Sequence, residues 1–151
     1  MLRRRFIASV RKPLAALYLL GGSVCLSAQP VWLTIVGSAD EAKNDVVQVD
    51  PASRSGNAGF PTLSVRVSRA TLRSSWDDVP YRSYVSTVVI DCDEKTGRYT
   101  EINFYMMPLW QGKPHKSTTF APSETRAMRF RDIEPNPTAR IVRAACTVTG
   151  R

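Results

Sequence analysis

Imidazole and thiol groups are scarce in this chain, which has one histidine and three cysteines among its 151 residues. A zinc ion needs several nitrogen or sulfur ligands around it, so these counts argue against a zinc site. Nucleophilic catalysis needs a base beside a nucleophile. The lone imidazole, His115, lies between Lys113 and Lys116 in a segment that we expect to be an exposed loop. We therefore expect no enzymatic activity, no metal and no cofactor, with a small secreted hydrolase that uses His115 as the enzymatic alternative.

The acidic residues near Cys92 do not complete a calcium site. Asp91 and Asp93 are spaced like the first ligands of an EF-hand loop, but Lys95 takes the third ligand position. The run Asp-Glu-Lys-Thr-Gly at residues 93–97 is typical of a tight hairpin turn. We therefore interpret this stretch as a turn rather than a metal loop.

A long apolar run is missing from the N-terminal segment. The apolar stretch at residues 14–20 is shorter than the roughly 20 residues that a bilayer span requires. It follows a basic head at residues 3–12 and precedes small residues, which is the layout of a secretory signal peptide. We predict that residues 1–28 are a signal peptide and that residues 29–151 form one mature domain without a membrane span. A membrane anchor, a buried helix and lipid attachment at Cys25 are the alternatives.

An excess of positive charge is also missing from the mature domain. The whole chain carries 21 basic and 13 acidic residues, for a net charge of +8. Five of the basic residues and none of the acidic ones fall within residues 1–28, which leaves 16 basic and 13 acidic residues, or about +3. The high basicity is largely a targeting signal, so we expect no nucleic-acid partner.

Only two cysteines, Cys92 and Cys146, remain after removal of residues 1–28. Disulfides form and persist in oxidising exported compartments, where two cysteines are most simply a pair. We therefore predict a disulfide between Cys92 and Cys146, which ties the end of a central strand to the C-terminal segment.

Alternating apolar and polar residues predict a series of strands. The alternation is clearest at residues 62–72 and 81–92, where its period of two is that of a half-buried strand. Short turns join consecutive strands, which predicts an antiparallel meander. The predicted strands are 32–36, 46–49, 62–72, 81–92 and 98–107, with Asp50 and Pro51 as a turn, residues 52–61 as a loop, residues 74–80 as a second turn, and Ile102, Phe104 and Met106 as the apolar face of the last strand.

The C-terminal end changes to helical spacing. Asn136 suits a helix N-cap, and Pro137 suits the first helical position, where its missing N–H is not needed. The predicted fold is therefore α+β: a single antiparallel β-sheet (meander) with a short C-terminal α-helix packed on it and one disulfide. The residues expected on the buried stripe of the helix are Ile141, Val142, Ala145 and Cys146.

Short motifs along the mature chain form a recognisable pattern. They are Trp32, the Val-Asp-Pro-Ala-Ser element at 49–53, the Tyr-Arg-Ser element at 81–83, Asp91 with Cys92, Arg98 with Tyr99, and Cys146. With these motifs the sequence resembles the surface-adhesin protein E family of exported bacterial proteins over nearly the whole mature chain. The resemblance implies an antiparallel sheet, a C-terminal helix and the Cys92–Cys146 bridge. It also implies binding to host matrix or serum proteins and dimer formation, but it assigns no ligand-contact residue.

Several arginines fall on the two arms of the hairpin predicted around residues 74–80. Arg73 is expected about opposite Arg82, and like charges that face each other are unfavourable unless they are paired or screened. Our hypothesis is that Arg66, Arg73 and Arg82, with Tyr84, frame a surface that binds an acidic partner protein or glycan. The alternative is that these arginines pair with nearby acidic residues or with solvent.

The leading functional interpretation is an exported, non-enzymatic, adhesin-like binding protein in the periplasm or on the outer surface of a bacterium. Its expected ligand is a protein or an acidic glycan. The alternative is a periplasmic accessory or structural protein of the envelope without a host ligand. An exposed sheet edge would allow a homodimer.

Overall fold

The structure, a computed structural model, describes residues 30–147. The predicted signal peptide and Cys25 lie outside the described residues. No helix within residues 30–147 is long and apolar enough to cross a membrane.

Within the described residues, six strands form one antiparallel sheet in which the spatial order follows the chain order. One short α-helix follows the last of these strands, so the predicted α+β meander is confirmed. A 3₁₀ turn at Pro108–Trp110 connects the last two strands. The elements are β1 (Leu33–Val36), β2 (Val46–Gly56), β3 (Pro61–Ser74), β4 (Pro80–Asp91), β5 (Thr96–Tyr105), β6 (Lys116–Thr119) and α1 (Thr138–Cys146).

The predicted end of the second strand at Asp50 and Pro51 is wrong, because β2 continues to Gly56. The register between β2 and β3 shifts between Asp50 and Ser55, so the extra residues form a bulge rather than a turn. Local hydrogen bonds stabilise it: the Asp50 carboxylate accepts from the Ala52 N–H at 3.0 Å, and the Ser53 hydroxyl donates to the Asp50 carbonyl at 2.6 Å. The predicted loop at 52–61 therefore shrinks to the few residues before β3.

The predicted apolar face of the fifth strand is correct at Ile102 and Phe104 and wrong at Met106, which is 45% exposed. Met106 lies beyond the end of β5 at Tyr105, so the strand alternation no longer applies to it. Another register shift occurs opposite the Thr87/Val88 step of β4. This shift changes which residues of β5 face the core, so that Tyr99 is buried together with Ile102. Simple alternation along the strand does not predict this.

One face of the sheet carries the apolar core. One cross-strand row on this face runs from Val49 through Val65 and Ser86 to Ile102. The irregular segment 120–133 and α1 cover this face. Their buried side chains are Phe120, Met128, Phe130, Ile133, Ile141, Val142 and Ala145.

The N-cap of α1 is Pro137, one position later than the predicted Asn136. The side-chain oxygen of Asn136 still accepts from the Thr138 N–H at 3.0 Å, and Pro137 already has helical backbone angles. At the other end, the Arg54 guanidinium donates to the Ala145 carbonyl at 2.9 Å. Side-chain groups therefore satisfy backbone groups at both ends of this short helix.

The predicted disulfide between Cys92 and Cys146 is present, with the sulfur atoms 2.08 Å apart. Cys92 directly follows β4, and Cys146 is the last residue of α1. The bond therefore ties the C-terminal end of the covering layer to the sheet across a sequence separation of 54 residues.

We expect the double variant Cys92→Ala/Cys146→Ala to lower the free energy of unfolding by up to about 4 kcal/mol, because closing a loop of this length restricts the unfolded chain. Urea titration of the oxidised protein and the variant measures the difference. The exposed Arg143→Ala change on the same helix is the control and should leave the midpoint within about 0.5 kcal/mol of wild type. A double variant that unfolds with the wild type would contradict this role.

Candidate functional site

The four residues predicted to form one binding surface do not all come together in the structure. Arg66 lies on the sheet face opposite the core, in one cross-strand row with Gln48. Tyr84 lies on the core face and is buried. Arg73 pairs across the hairpin with Tyr81, whereas the sequence predicts that it lies opposite Arg82.

Arg66 is held between two indole rings. Its guanidinium carbon lies 4.1 Å from the ring centre of Trp32 and 3.9 Å from that of Trp110, and its Nε donates to the Gln48 side chain at 2.6 Å. Burial lowers the pKa of Arg66 to about 10, and the charge of Asp50 partly offsets this effect. Arg66 therefore stays cationic at neutral pH, and its faces are already occupied by the protein.

Trp110 is fixed on the outer face by backbone contacts. Its indole N–H donates to the carbonyls of Val67 at 3.2 Å and Tyr84 at 3.0 Å, which belong to neighbouring strands. Its backbone N–H donates to the Ser83 hydroxyl at 3.0 Å. Leu109 and Trp110 both have a positive φ, a costly conformation for such residues that these contacts maintain. Trp32, Arg66 and Trp110 thus form a fixed stack on the outer face, which we call the outer-face stack.

Arg82 and Arg69 also have partners inside the protein. Arg82 donates to the carbonyls of Arg69 at 3.2 Å and Ala42 at 3.3 Å. Arg69, only 4% exposed, lies 3.3 Å from the Asp45 carboxylate and donates to the Arg131 carbonyl at 2.9 Å. The hypothesis did not include Arg69, although it positions the segment that borders a cavity on the core face.

This cavity opens between the β3–β4 hairpin and the segment around residues 127–132, and it has a volume of about 360 Å³. Both Arg73 and Tyr84 of the predicted set line it. Aromatic rings form most of its apolar wall. They belong to Trp76, Tyr81, Tyr84, Tyr99, Phe104 and Phe130.

Tyr84 and Tyr99 form a buried hydroxyl pair at the wall of this cavity, with their oxygens 2.9 Å apart. Their rings pack edge to face at 6.1 Å. Burial is the main cause that raises the pKa of both phenols far above the ordinary value of 10.0. Both hydroxyls therefore remain protonated at neutral pH and are able to donate hydrogen bonds.

Trp76 stands at the mouth of the cavity and is 46% exposed. Its indole stacks on the Tyr99 ring with the centres 5.7 Å apart. The Arg126 guanidinium lies 5.8 Å from the centre of the same indole and 3.4 Å from an oxygen of Asp77. One aromatic surface thus continues from solvent to the buried hydroxyl pair.

Four charged side chains and one indole border the cavity and form its rim, which we take as Arg73, Trp76, Arg129, Arg131 and Asp132. The Arg73 guanidinium lies 3.6 Å from the Asp132 carboxylate. Arg129 and Arg131 are exposed, and neither makes an ion pair within the described residues 30–147. The rim therefore presents net positive charge beside an exposed indole.

The other candidates lie apart from this cavity. His115 is exposed, and its backbone N–H donates to the Phe104 carbonyl at 2.9 Å. The Asp91 carboxylate accepts from the backbone N–H groups of Asp93 and Glu94 at 3.1 and 3.0 Å, so it serves the hairpin turn. In the part of the chain that the structure describes, no cluster of three or more His, Cys, Asp or Glu side chains could hold a metal ion.

Comparison with known families gives one finding. The family described as "Surface-adhesin protein E" matches residues 32–147, well over half of the chain. This range includes Trp32, the cavity and both cysteines of the disulfide. No curated protein and no solved structure matches the chain.

The tyrosine pair predicts a loss of stability at alkaline pH. Because the folded state raises both pKa values, unfolded tyrosines release protons near pH 10.0 while the folded pair retains them. Stability is therefore fully present below pH 10.0 and falls as pH rises above it, by about 1.4 kcal/mol per pH unit for each group. Urea titrations across this range should show a shallower fall for Tyr84→Phe/Tyr99→Phe, and equal slopes would contradict the assignment.

The outer-face stack predicts that Arg66→Lys destabilises the protein by about 1–2 kcal/mol. Lysine keeps the charge but loses the planar group that fits between two indoles and bonds to Gln48. Arg129→Lys, at an exposed position, is the matched control. If urea midpoints fall equally little in both variants, the stack does not stabilise the fold.

Proposed function

We propose that this chain, which belongs to the surface-adhesin protein E family, is an exported, non-enzymatic protein that binds a partner protein through the rim of its aromatic cavity. The family description names surface adhesins, so a role in attachment fits the expected export. The observation that carries the proposal is the composition of the rim, where an exposed indole stands beside arginines that lack an ion-pair partner within residues 30–147.

The residue types at the rim are those that dominate binding energy at protein interfaces. Tryptophan, tyrosine and arginine are enriched among residues whose truncation costs most in alanine scans. Arg129 and Arg131 would attract an acidic segment of the partner and speed its approach. The sequence also favours an acidic partner. We assign the binding site to the rim around Arg73 instead of to Arg66 and Arg82.

The rim is supported by a rigid base, which favours binding. The buried Arg69 holds the carbonyl of Arg131, and the Met128 N–H donates to the Gly97 carbonyl of β5 at 2.7 Å. Trp76 is stacked on the buried Tyr99. A surface that is ordered before binding loses less conformational freedom on association, so more of its contact energy appears as affinity.

We expect Arg129→Ser/Arg131→Ser to bind host matrix or serum proteins about tenfold more weakly in a screen with immobilised purified proteins. It should also reduce the salt dependence of binding, since exposed charges are screened by salt. Lys113→Ser/Lys116→Ser removes the same charge from two exposed positions, one before β6 and one at its first residue, both outside the cavity lining, and is the matched control. An equal loss of binding in both pairs, or no loss in either, would contradict the assignment to the rim.

Location separates an adhesin from a periplasmic accessory protein. Protease treatment of intact cells should cleave an adhesin on the outer surface, whereas a periplasmic protein is cleaved only after the outer membrane is opened. Cleavage confined to opened cells would favour the envelope accessory role. The homodimer stays a prediction, with the four-residue edge strands β1 and β6 as the sheet edges available for it.

A further inference from the structure

We propose that the cavity between the β3–β4 hairpin and residues 127–132 binds a small hydroxylated aromatic carboxylate. The ring lies between the aromatic walls, the ring hydroxyl meets the Tyr84–Tyr99 pair, and the carboxylate lies at the arginines of the rim. This inference goes beyond the proposed adhesion and does not depend on it.

The size and walls of the cavity suit a single aromatic ring. Its volume of about 360 Å³ lies at the lower end of the range of roughly 300–1,000 Å³ for small-molecule sites. Six aromatic side chains, Ile102 and Ala127 provide the apolar lining. Aromatic rings prefer offset-stacked or edge-to-face neighbours, and the walls offer tilted rings such as Tyr81, Tyr84 and Phe104 at 5.5–6.2 Å from one another.

The tyrosine pair supplies a polar group inside this apolar lining. Each phenol has one hydrogen to donate, and the bond between Tyr84 and Tyr99 uses only one of the two. Both residues are at least 94% buried, and the second hydrogen makes no hydrogen bond to another residue within 30–147. Because a buried donor without an acceptor costs free energy, a ligand hydroxyl that accepts this hydrogen would gain affinity.

The mouth of the cavity selects for negative charge. Arginines that line the cavity outnumber acidic residues by four to one, since Asp132 is the lone acid among its lining residues. Arg69 is used internally by Asp45, and Arg73 lies beside Asp132. Arg129 and Arg131 are left for the ligand, and a guanidinium binds a carboxylate through charge-assisted hydrogen bonds.

The test is isothermal titration calorimetry of the oxidised protein with 4-hydroxyphenylacetate, using two analogues that each lack one group. The neutral 4-hydroxyphenylacetamide should bind about tenfold more weakly, because the arginines no longer face a carboxylate. Phenylacetate should bind about three- to tenfold more weakly, because the tyrosine pair loses its acceptor. Equal affinity for the acid and the amide, or for the hydroxylated and plain rings, would overturn the proposal.

Variants locate the binding within the cavity. Ala127→Leu adds three carbon atoms to a residue that lines the cavity and should abolish binding, while it leaves the rim arginines in place for a protein partner. Tyr84→Phe/Tyr99→Phe removes both hydroxyls and keeps both rings, so it should equalise the affinities for 4-hydroxyphenylacetate and phenylacetate. Arg143→Gln on α1, outside the cavity lining, is the control and should bind like wild type. Undiminished binding in Ala127→Leu would overturn the assignment even if the tyrosine variant failed to fold.

The same chemical groups occur at the end of a polypeptide that terminates in tyrosine. A short alanine peptide with a C-terminal tyrosine, compared with 4-hydroxyphenylacetate, distinguishes the two sources. Tighter binding of the free acid identifies the ligand as a small molecule, and tighter binding of the peptide identifies it as the C-terminus of a polypeptide. If neither ligand binds, the inference is overturned. The proposed adhesion is tested separately, by the binding screen with Arg129→Ser/Arg131→Ser.

Discussion

A single sheet is stable only if its apolar face is covered, and this constraint organises the rest of the molecule. The strands place Val47, Val65 and Val88 on one face, where each is fully buried. The cover contains only one helix, the nine-residue α1, and otherwise consists of irregular chain. Such a short helix is marginal alone, so it depends on its apolar stripe, its caps and the disulfide. Where the irregular part meets the β3–β4 hairpin, the cover is incomplete and the cavity forms.

Much of this architecture follows from local patterns in the sequence. The period-two alternation located β3 and β4, and the apolar stripe with Asn136 and Pro137 located α1, because each pattern reflects burial of one face. The bulge that begins at Asp50 and the register shift at Val88 escaped prediction because they depend on hydrogen bonds around Asp50 and on pairing opposite Val88. Alternation alone carries no sign of an inserted residue until a neighbouring strand sets the register.

The candidate site was only partly predictable, for a related reason. Arginine spacing indicated the right hairpin but could not separate internal from exposed guanidinium groups. Arg66 meets two indoles that are distant in sequence, and Arg82 meets backbone carbonyls, so both serve the fold. Arg129 lies in irregular chain with no periodicity to mark it. Only the folded arrangement brings it beside Arg73, and no local signal could have paired them.

The disulfide lies outside the lining of the cavity. The cavity extends along β4 from Tyr81, at the start of the strand, to the level of Val88, whose cross-strand partner Tyr99 lines it. Cys92 follows the end of the strand, on the order of 13 Å beyond Val88 at about 3.3 Å per residue. The cavity border is held separately, by hydrogen bonds from Met128 to β5 and from Arg69 to the Arg131 carbonyl. The bond therefore secures the C-terminal end of the helix, while packing and buried charge shape the binding surface.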